Sequence, residues 1–318
     1  MNVTSRVASI GNANIDLTLY VRKLPDPGTQ VEAYSMERLV GGAAANFAVA
    51  VSRLGLQAAF IGCVGRDEAG KLVLSKLRSE GVDTSLVKVV EGGTGLVVVV
   101  VDERGERTMI AYRGANEALY KMDLSIIDYS AFSWLHASSV KPEVVVKPFR
   151  KARELGVKTS YDPGGIVARM GYRSLIDALR YTDVLLLNET EAGYIEASGG
   201  GVELEVVREV IPLVVVKLGA RGALAYKGPL RVQAEAFRVE VVDTTGAGDA
   251  FNAGLCYALE SGLSVHDALV FANACAAIKI TRRGAQASPR LREVVDFLRS
   301  EGFDYSRALS LFGRHTTP

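Results

Sequence analysis

The chain has 318 residues, of which 48% are hydrophobic, and its formal net charge is +1 at pH 7. This length allows one large α/β domain or two ordinary ones. The balanced charge excludes a surface that binds nucleic acid by displacing its counterions. The longest apolar run, residues 96–101, is far shorter than the ~20 residues that a membrane helix needs, and the first residues lack a signal pattern. We therefore expect a cytoplasmic protein with neither nucleic acid nor membrane as a partner.

Two segments of the first third are predicted to be extended. One runs from Leu17 through a turn rich in Pro and Gly to about Leu39. The other is a β-hairpin, with residues 96–101 and 108–112 on either side of a charged turn that contains Gly105. The alternative to a functional role for these segments is an ordinary surface hairpin.

Between these segments, Gly41 and Gly42 precede a predicted helix. Phe47, Val51 and Leu54 repeat at helical spacing, which predicts one buried face. Asn46 lies in the first turn, where its amide can both donate and accept hydrogen bonds. We expect Gly42 to leave room for a ligand and Asn46 to contact that ligand.

Short apolar or β-branched runs alternate with helical segments in the second half of the chain. They are residues 134–137, 157–161, 183–187 and 213–216. Such runs are typical of buried parallel strands, whose carboxyl ends carry ligand sites. The strands are followed by Asp162, by Asn188 with Glu191, and by Lys217. Glu191 is either a ligand of hydrated Mg2+ or a solvated helix residue, and Lys217 either meets phosphate or reaches for solvent.

Residues 241–251, VVDTTGAGDAF, combine a β-branched run with a glycine turn that opens a helix. Gly246 and Gly248 allow a sharp bend, and the helix start presents unpaired N–H groups that bind anions. Asp249 would repel phosphate unless it takes a proton from a group that attacks that phosphate. The motif therefore predicts phosphoryl transfer, with a helix cap at Asp249 as the alternative.

Other patterns in the sequence give weaker signals. Residues 65–71 have the spacing of a Walker phosphate loop, but Leu72 replaces the Ser or Thr that must bind Mg2+, so we predict a surface turn before a helix. Cys63, Cys256 and Cys275 lie apart, which predicts neither a disulfide framework nor a zinc site. Among the histidines, only His136 lies near the predicted crevice.

These motifs together resemble the signatures of the ribokinase-like, or PfkB-type, carbohydrate kinase family. The resemblance rests on residues 243–254, 41–46, 188–191 and 14–16, and extends from about residue 7 to about residue 298. It implies a three-layer α/β sandwich with a mainly parallel central sheet and a small β-sheet lid. The whole chain, residues 1–318, would form one such domain, with lid segments at about 16–40 and 94–114 and a homodimer formed through the lid.

The resemblance also implies roles for individual residues. Asp249 would be the general base beside the backbone of Gly246, Ala247 and Gly248. The acceptor would be bound by Asn14, Asp16, Gly42 and Asn46, although Asn14 could instead satisfy its own turn. The nucleotide would be bound by Asn188, Lys217, Gly219, Gly222, Asn273 and Ala276, although the alanine-rich helix around Asn273 could simply be closely packed. Mg2+ would be held through water by Glu191 and Asn188, and K+ by Asp243 and Ser288.

The expected reaction is transfer of the γ-phosphoryl group of ATP to a hydroxyl of a small, ribose-like sugar. Residues 41–46 also resemble archaeal nucleoside kinases. Arg113 could pair with a carboxylate or phosphate, so a keto-deoxy sugar acid or a sugar phosphate is a further alternative acceptor. A regulator that binds a sugar or a nucleotide without catalysis is an alternative from another class, and the charge of Asp249 argues against it.

Overall fold

The computed structural model describes residues 6–198 and 204–305. Its strands are β1 (Arg6–Gly11), β2 (Asn14–Val21), β3 (Ala33–Gly41), β4 (Gln57–Gly65), β5 (Val82–Asp83), β6 (Val87–Val90), β7 (Gly95–Val101), β8 (Arg107–Tyr112), β9 (Trp134–Ser138), β10 (Lys158–Asp162), β11 (Val184–Asn188), β12 (Leu213–Lys217), β13 (Ala223–Lys227) and β14 (Leu230–Ala234). Its helices are α1 (Ala43–Arg53), α2 (Glu68–Ser79), α3 (Pro142–Glu154), α4 (Gly164–Ala168), α5 (Tyr172–Leu179), α6 (Glu189–Ser198), α7 (Leu204–Val210), α8 (Ala247–Glu260), α9 (Val265–Ile280) and α10 (Leu291–Ser300).

The large sheet has the strand order β14-β13-β12-β11-β10-β9-β1-β4-β5, and β6 also pairs with β4. Neighbouring strands are parallel from β12 to β5, whereas β13 and β14 pair antiparallel at one edge. The predicted parallel sheet is thus confirmed. Because β9, β10, β11 and β12 run the same way, the polar residues that follow them lie along one edge of the sheet.

Side chains on successive residues of the strands point to opposite faces of the large sheet. Val7 and Trp134 pack into one hydrophobic core with residues of α1, α8 and α9, whereas Ala8 and Leu135 pack into the other core with residues of α3 and α5. The molecule is therefore a three-layer α/β/α sandwich, as predicted. Among the described residues, no helix is both long enough and apolar enough to cross a bilayer.

A second, small sheet has the strand order β3-β2-β7-β8. The predicted hairpin is confirmed as β7 and β8, and the extended segment before it divides into β2 and β3. β2 joins the two pairs, because Asn14 is in register with both Gly41 and Gly95. The start of β2 therefore lies where the small sheet meets the large one.

Helix α1 is more deeply buried than the sequence predicts. Phe47, Val51 and Leu54 are buried as expected, but residues 44–51 are all buried. The sequence predicts one buried face, but α1 is buried on more than one side because α8 also packs against it. This second contact brings the polar residues of the two helices together.

Candidate active site

The glycine turn at residues 243–249 leads into α8 as predicted. Gly246 has φ of 78° at the N-cap of this helix, and a Cβ there would lie 2.3 Å from Ala285 O. Both the left-handed backbone and this close contact require glycine. The Ala247 N–H donates to Thr244 O at 3.1 Å, so it is committed within the turn, contrary to the expectation that it is open to a ligand. The N–H groups of Gly248 and Asp249 lie in the first helical turn, which leaves them without helical acceptors.

Asp249 is held by Asn46 across the contact between α8 and α1. Asn46 Nδ2 donates to Asp249 Oδ2 at 2.8 Å. Burial raises the pKa of Asp249 to about 7, with Asp162 and Asp16 adding to the rise and Asn46 opposing it. A carboxyl group whose pKa lies near neutrality is well matched to accepting a proton at physiological pH.

The predicted acceptor residues lie beside this carboxylate, at the start of β2. Asn14 Oδ1 accepts a hydrogen bond from Asn116 Nδ2 at 2.9 Å, so its partner is a distant side chain and the alternative of a turn that satisfies itself is wrong. Burial raises the pKa of Asp16 to about 6. The Asp16 carboxylate lies against Gly41, where a Cβ would overlap it. Asp16 is also close enough to Asp249 to raise its pKa.

Glycine is required at position 42 for a different reason from the one expected. Its φ is 101°, and a Cβ at this position would lie 2.4 Å from Asn12 O. The space that glycine leaves is therefore filled by the backbone of residues 12–13, not by a ligand. Gly42 allows β2 and α1 to approach, and so places Asn46 and Asp16 on the same cleft.

Lys217 is part of a buried polar cluster at the end of β12. Its Nζ donates to Asp162 Oδ2 at 2.7 Å and to Asn252 Oδ1 at 3.3 Å, while Asn252 Nδ2 donates to the same Asp162 oxygen at 2.7 Å. Although burial opposes its charge, Asp162 and Glu191 raise the pKa of Lys217. Lys217 therefore does not reach for solvent. A Cβ on Gly248 would lie 3.5 Å from its Nζ, so this ammonium faces the glycine turn.

His136 is a structural residue. Its ring is fully buried, stacks on Phe47 with centroids 3.9 Å apart, and shares a hydrogen bond of 2.8 Å with Ser160 Oγ through Nδ1. Burial lowers the pKa of His136 to about 3. The imidazole is therefore neutral at physiological pH, and it lies near enough to Asp162 and Lys217 for both charges to affect its pKa.

Asn188 and Glu191 cap the start of α6 reciprocally. The Asn188 N–H donates to Glu191 Oε2 at 2.8 Å, and the Glu191 N–H donates to Asn188 Oδ1 at 2.9 Å. Glu191 is buried, and its pKa is raised by that burial and by Asp162. It is thus not the solvated helix residue of the alternative interpretation. The capping bonds fix one carboxylate oxygen beside Asp162 and Lys217.

The other predicted nucleotide residues are more scattered. Gly219 is exposed beside open space, whereas Gly222 is buried and a Cβ there would lie 2.0 Å from Ala234 O. Asn273 Nδ2 donates to Ala234 O at 3.2 Å and to Glu235 O at 2.9 Å, so both donors hold the chain after β14. Ala276 is half-buried one turn further along α9. Gly222 and Asn273 are therefore tied to neighbouring backbone, Ala276 packs partly against the core, and Gly219 faces open space.

Arg113 follows β8, and its Nη1 donates to Tyr120 Oη at 3.0 Å. Lys141 Nζ lies 5.4 Å from the centroid of the same ring. The backbone of Arg113 is near the acceptor residues, because a Cβ on Gly95 would lie 3.2 Å from Arg113 O and 2.6 Å from Asn14 Oδ1. Two positive side chains thus contact one ring, and the backbone of one of them, Arg113, lies near the predicted acceptor site.

The residues expected to hold K+ are linked to a lysine. Asp243 Oδ1 accepts from the Thr245 N–H and Oδ2 from the Gly284 N–H, each at 2.8 Å. Lys279 Nζ donates to Asp243 O at 2.7 Å. Ser288 Oγ is buried and has no hydrogen-bond partner among the described residues.

Residues 65–71 and the three cysteines take no part in the site. Residues 66–67 form the predicted turn before α2, residues 68–71 begin that helix, and Asp67 caps it by accepting from the Gly70 N–H at 2.7 Å. The cysteines are buried and free of disulfides. The sequence interpretation assigned no role to Asn252 or Lys279. A lysine inside the apolar run of α9 was the signal that could have drawn attention to Lys279.

A carboxyl group of near-neutral pKa at a helix start, beside polar residues at the carboxyl edge of a parallel α/β sheet, is the arrangement of a phosphotransferase that acts on a hydroxyl group. The chain belongs to the pfkB family of carbohydrate kinases, whose model matches residues 4–291. It is a kinase of the ribokinase fold.

Individual relatives extend over nearly the whole chain. An ATP-dependent ribose-1-phosphate kinase of Halopiger xanaduensis is 36% identical, covering 94% of this chain and 99% of its own. A ribokinase of Haemophilus influenzae is 30% identical, covering 91% and 97%. The solved structure of Arabidopsis thaliana ribokinase complexed with ribose and ATP has a TM-score of 0.82 at 25% identity, covering 93% and 99%.

Proposed function

We propose that the protein transfers the γ-phosphoryl group of ATP to a hydroxyl of a small, ribose-like sugar, with Asp249 as the general base. The observation that carries this proposal is the hydrogen bond between Asn46 and Asp249 at the start of α8, with a pKa of about 7 at Asp249. The carboxylate lies at the end of the glycine turn, bonded to Asn46 and close enough to Asp16 for that charge to raise its pKa. A hydroxyl bound on one side can therefore attack a phosphoryl group bound on the other.

Each group has a distinct part in this reaction. Asp16 and Asn46 hold neighbouring sugar hydroxyls, because a carboxylate accepts from two donors and an amide both donates and accepts. Asp249 takes the proton of the attacking hydroxyl, a role worth ~10²–10⁴-fold in rate. The N–H groups of Gly248 and Asp249 stabilise the charge on the transferred group, and Lys217 supplies a fixed positive charge on the same side.

The residues at the nucleotide side fit Mg2+ as a partner of ATP. Glu191 and Asn188 supply oxygen atoms, and this ion takes one or two carboxylates together with water and phosphate oxygens. Among the described residues, no group of three or more His, Cys, Asp or Glu side chains is placed to enclose a metal ion. The chain would therefore hold Mg2+ largely through water and nucleotide. When bound, the ion neutralises charge on the phosphate oxygens.

The proposal is tested by measuring ADP formation with a panel of acceptors that includes ribose, ribose 1-phosphate, fructose, nucleosides and a keto-deoxy sugar acid. We expect a ribose-type acceptor to give the highest kcat/KM. The variant Asp249→Asn should bind the acceptor with unchanged affinity and lose about 10²–10⁴-fold in kcat. Turnover of this variant at near the parent rate would remove Asp249 from the chemistry. Ligand binding without ADP formation from any acceptor would favour a regulator instead.

A phosphorylated ribose is the second candidate acceptor. The backbone of Arg113 lies near Asn14, its guanidinium and Lys141 both contact the Tyr120 side chain, and a guanidinium is well suited to bind phosphate. The 36% identity to a ribose-1-phosphate kinase supports the same acceptor. Under this alternative, Arg113→Ala raises KM for ribose 1-phosphate by about tenfold or more while leaving KM for ribose unchanged. An equal effect on both acceptors would argue for a structural role of Arg113.

The small sheet is proposed to act as a lid over the acceptor and to form a homodimer. Met36, Ile110 and Tyr112 are at least 59% exposed, and the strand register places them on one face of the small sheet. Apolar groups exposed together favour association with another surface. Light scattering should give twice the chain mass, and Ile110→Asp should give a monomer. A monomeric parent protein at working concentration would exclude this dimer.

A further inference from the structure

Lys279 lies in the last turn of α9, and its side chain is fully buried. Its Nζ donates hydrogen bonds to Asp243 O at 2.7 Å and to Arg282 O at 3.2 Å, and it lies 3.6 Å from Asp243 Oδ2. Burial of an ammonium group is costly unless the charge is paired. Two carbonyl oxygens and a carboxylate oxygen around one positive charge offset this cost.

Carbonyl and carboxylate oxygens are also the ligands that a hard metal cation takes. The family resemblance predicts a monovalent cation beside Asp243 and Ser288, but these residues do not fit a free ion. Both Asp243 oxygens accept backbone N–H bonds, and the Lys279 ammonium already lies against the Asp243 carbonyl and carboxylate. A metal cation at the same oxygens would be repelled by that ammonium at short range. Ser288 Oγ alone is too small a donor set to hold it.

The contacts of Lys279 reach the glycine turn through two segments. Asp243 begins that turn, and Arg282 begins the loop whose Ala285 O lies against Gly246. The Gly284 N–H donates to Asp243 Oδ2, which ties the loop to the turn a second time. A positive charge between the two segments therefore holds the backbone that presents the N–H groups of Gly248 and Asp249.

We propose that Lys279 is a built-in substitute for the monovalent cation, a positioning residue that holds the glycine turn in its anion-binding form. This inference rests on the proposed phosphoryl transfer. Its consequence is a kinase whose turnover is independent of K+. A free cation should bind at this position only in a variant that lacks the Lys279 side chain.

The first test compares turnover in potassium buffer with turnover in choline buffer. For the parent protein, K+ should change kcat by less than about twofold. Lys279→Ala in choline should lose about tenfold or more in kcat, with a much smaller change in KM for the acceptor, because the turn stabilises the transferred group. Addition of K+ or NH4+ to this variant should restore most of kcat. A parent enzyme activated tenfold by K+ would overturn the proposal.

Thermal unfolding gives a readout that does not depend on catalysis, so it decides the question even if no acceptor is phosphorylated. K+ should leave the melting temperature of the parent unchanged and raise that of Lys279→Ala by about 2 °C or more, because an ion bound only to the folded state stabilises it. The matched control is Lys151→Ala. Lys151 Nζ also donates to two carbonyls, Ser125 O at 2.7 Å and Ile127 O at 2.9 Å, but these lie away from the glycine turn.

Lys151→Ala should lose stability without any response of kcat or melting temperature to K+. A folded Lys279→Ala variant that turns over like the parent in choline, or that shows no response to K+ in either readout, would overturn the proposal. If Lys279→Ala does not fold, the cation dependence of the parent decides alone. Independence from K+ then supports the inference and strong activation refutes it.

Discussion

The hydrogen bond from Asn46 to Asp249 should set the pH at which the enzyme becomes active. The pKa of Asp249 is about 7, so kcat should rise as the pH increases through about 7, when the carboxylate forms. The Asn46 bond favours the charged carboxylate and therefore lowers this pKa. Its removal in Asn46→Leu, which keeps the volume of the side chain, should raise the pKa and move the rise in kcat to higher pH.

The size of that displacement follows from the strength of the bond. A hydrogen bond to a charged group contributes about 1.5–3 kcal/mol, and one pKa unit corresponds to about 1.4 kcal/mol. Because the Asn46 amide is a neutral donor, we expect the lower end, about one unit. At pH 7 the variant should turn over about fivefold more slowly than the parent, and the two rates should converge above about pH 9.

The assay is kcat at saturating acceptor between pH 5.5 and 10, so that weaker acceptor binding does not enter. Asn116→Ala is the control, since Asn116 contacts Asn14 on the acceptor side. This control should raise KM and leave the midpoint of the kcat profile unchanged. Equal midpoints for the parent and Asn46→Leu would refute the reasoning that this bond tunes the base.

Two further predictions concern charges that stabilise the fold. Lys217→Met leaves the Asp162 carboxylate buried without its cation and should cost about 3–5 kcal/mol in urea unfolding, a loss that Asp162→Asn should partly reverse in the double variant. Additive losses would exclude the coupling. The neighbouring Arg53 and Lys76 lower the pKa of Glu80 from 4.5 to about 2, although burial opposes this shift. Its stabilisation is therefore present above pH 4.5 and lost toward pH 2, so Glu80→Gln should cost about 1–2 kcal/mol at pH 7 and nothing at pH 2, as measured by unfolding at each pH.

The sequence predicts well what depends on local pattern and chain order. The helix start after Gly246 and the hairpin of β7 and β8 both follow from turn residues and periodicity. The parallel strands place Asp162 and Lys217 at one edge for the same reason. These features need no knowledge of which elements touch.

Side-chain partners that are distant in the chain could not be predicted in this way. Lys217 could equally reach for solvent until β10 and α8 supply Asp162 and Asn252. Asn273 has an amide suited to a nucleotide, yet the chain after β14 takes both of its donors. Gly42 is required by the crossing backbone of Asn12, which only the fold reveals. Each outcome depends on packing between elements, which periodicity does not encode.

The charge of the site leads to a last prediction, on metal dependence. Four carboxylates lie close together, because each of them affects the pKa of another one or of Lys217; they belong to Asp16, Asp162, Glu191 and Asp249. Lys217 is a cation among them. An ATP molecule without a bound metal carries several negative charges and is repelled by such a cluster. We therefore expect chelator to abolish activity and Mg2+ to restore it.

Glu191 should determine how much Mg2+ is needed. Glu191→Gln removes one negative charge and a metal-binding oxygen, while an amide oxygen can still accept from the Asn188 N–H. The variant should need about tenfold more Mg2+ for half-maximal activity, and it should bind metal-free ATP more tightly than the parent. Calorimetric titration of ATP with and without Mg2+ measures both effects. An unchanged Mg2+ requirement together with unchanged affinity for metal-free ATP would show that this carboxylate serves only to cap α6, and the metal would then have to be held by the nucleotide alone.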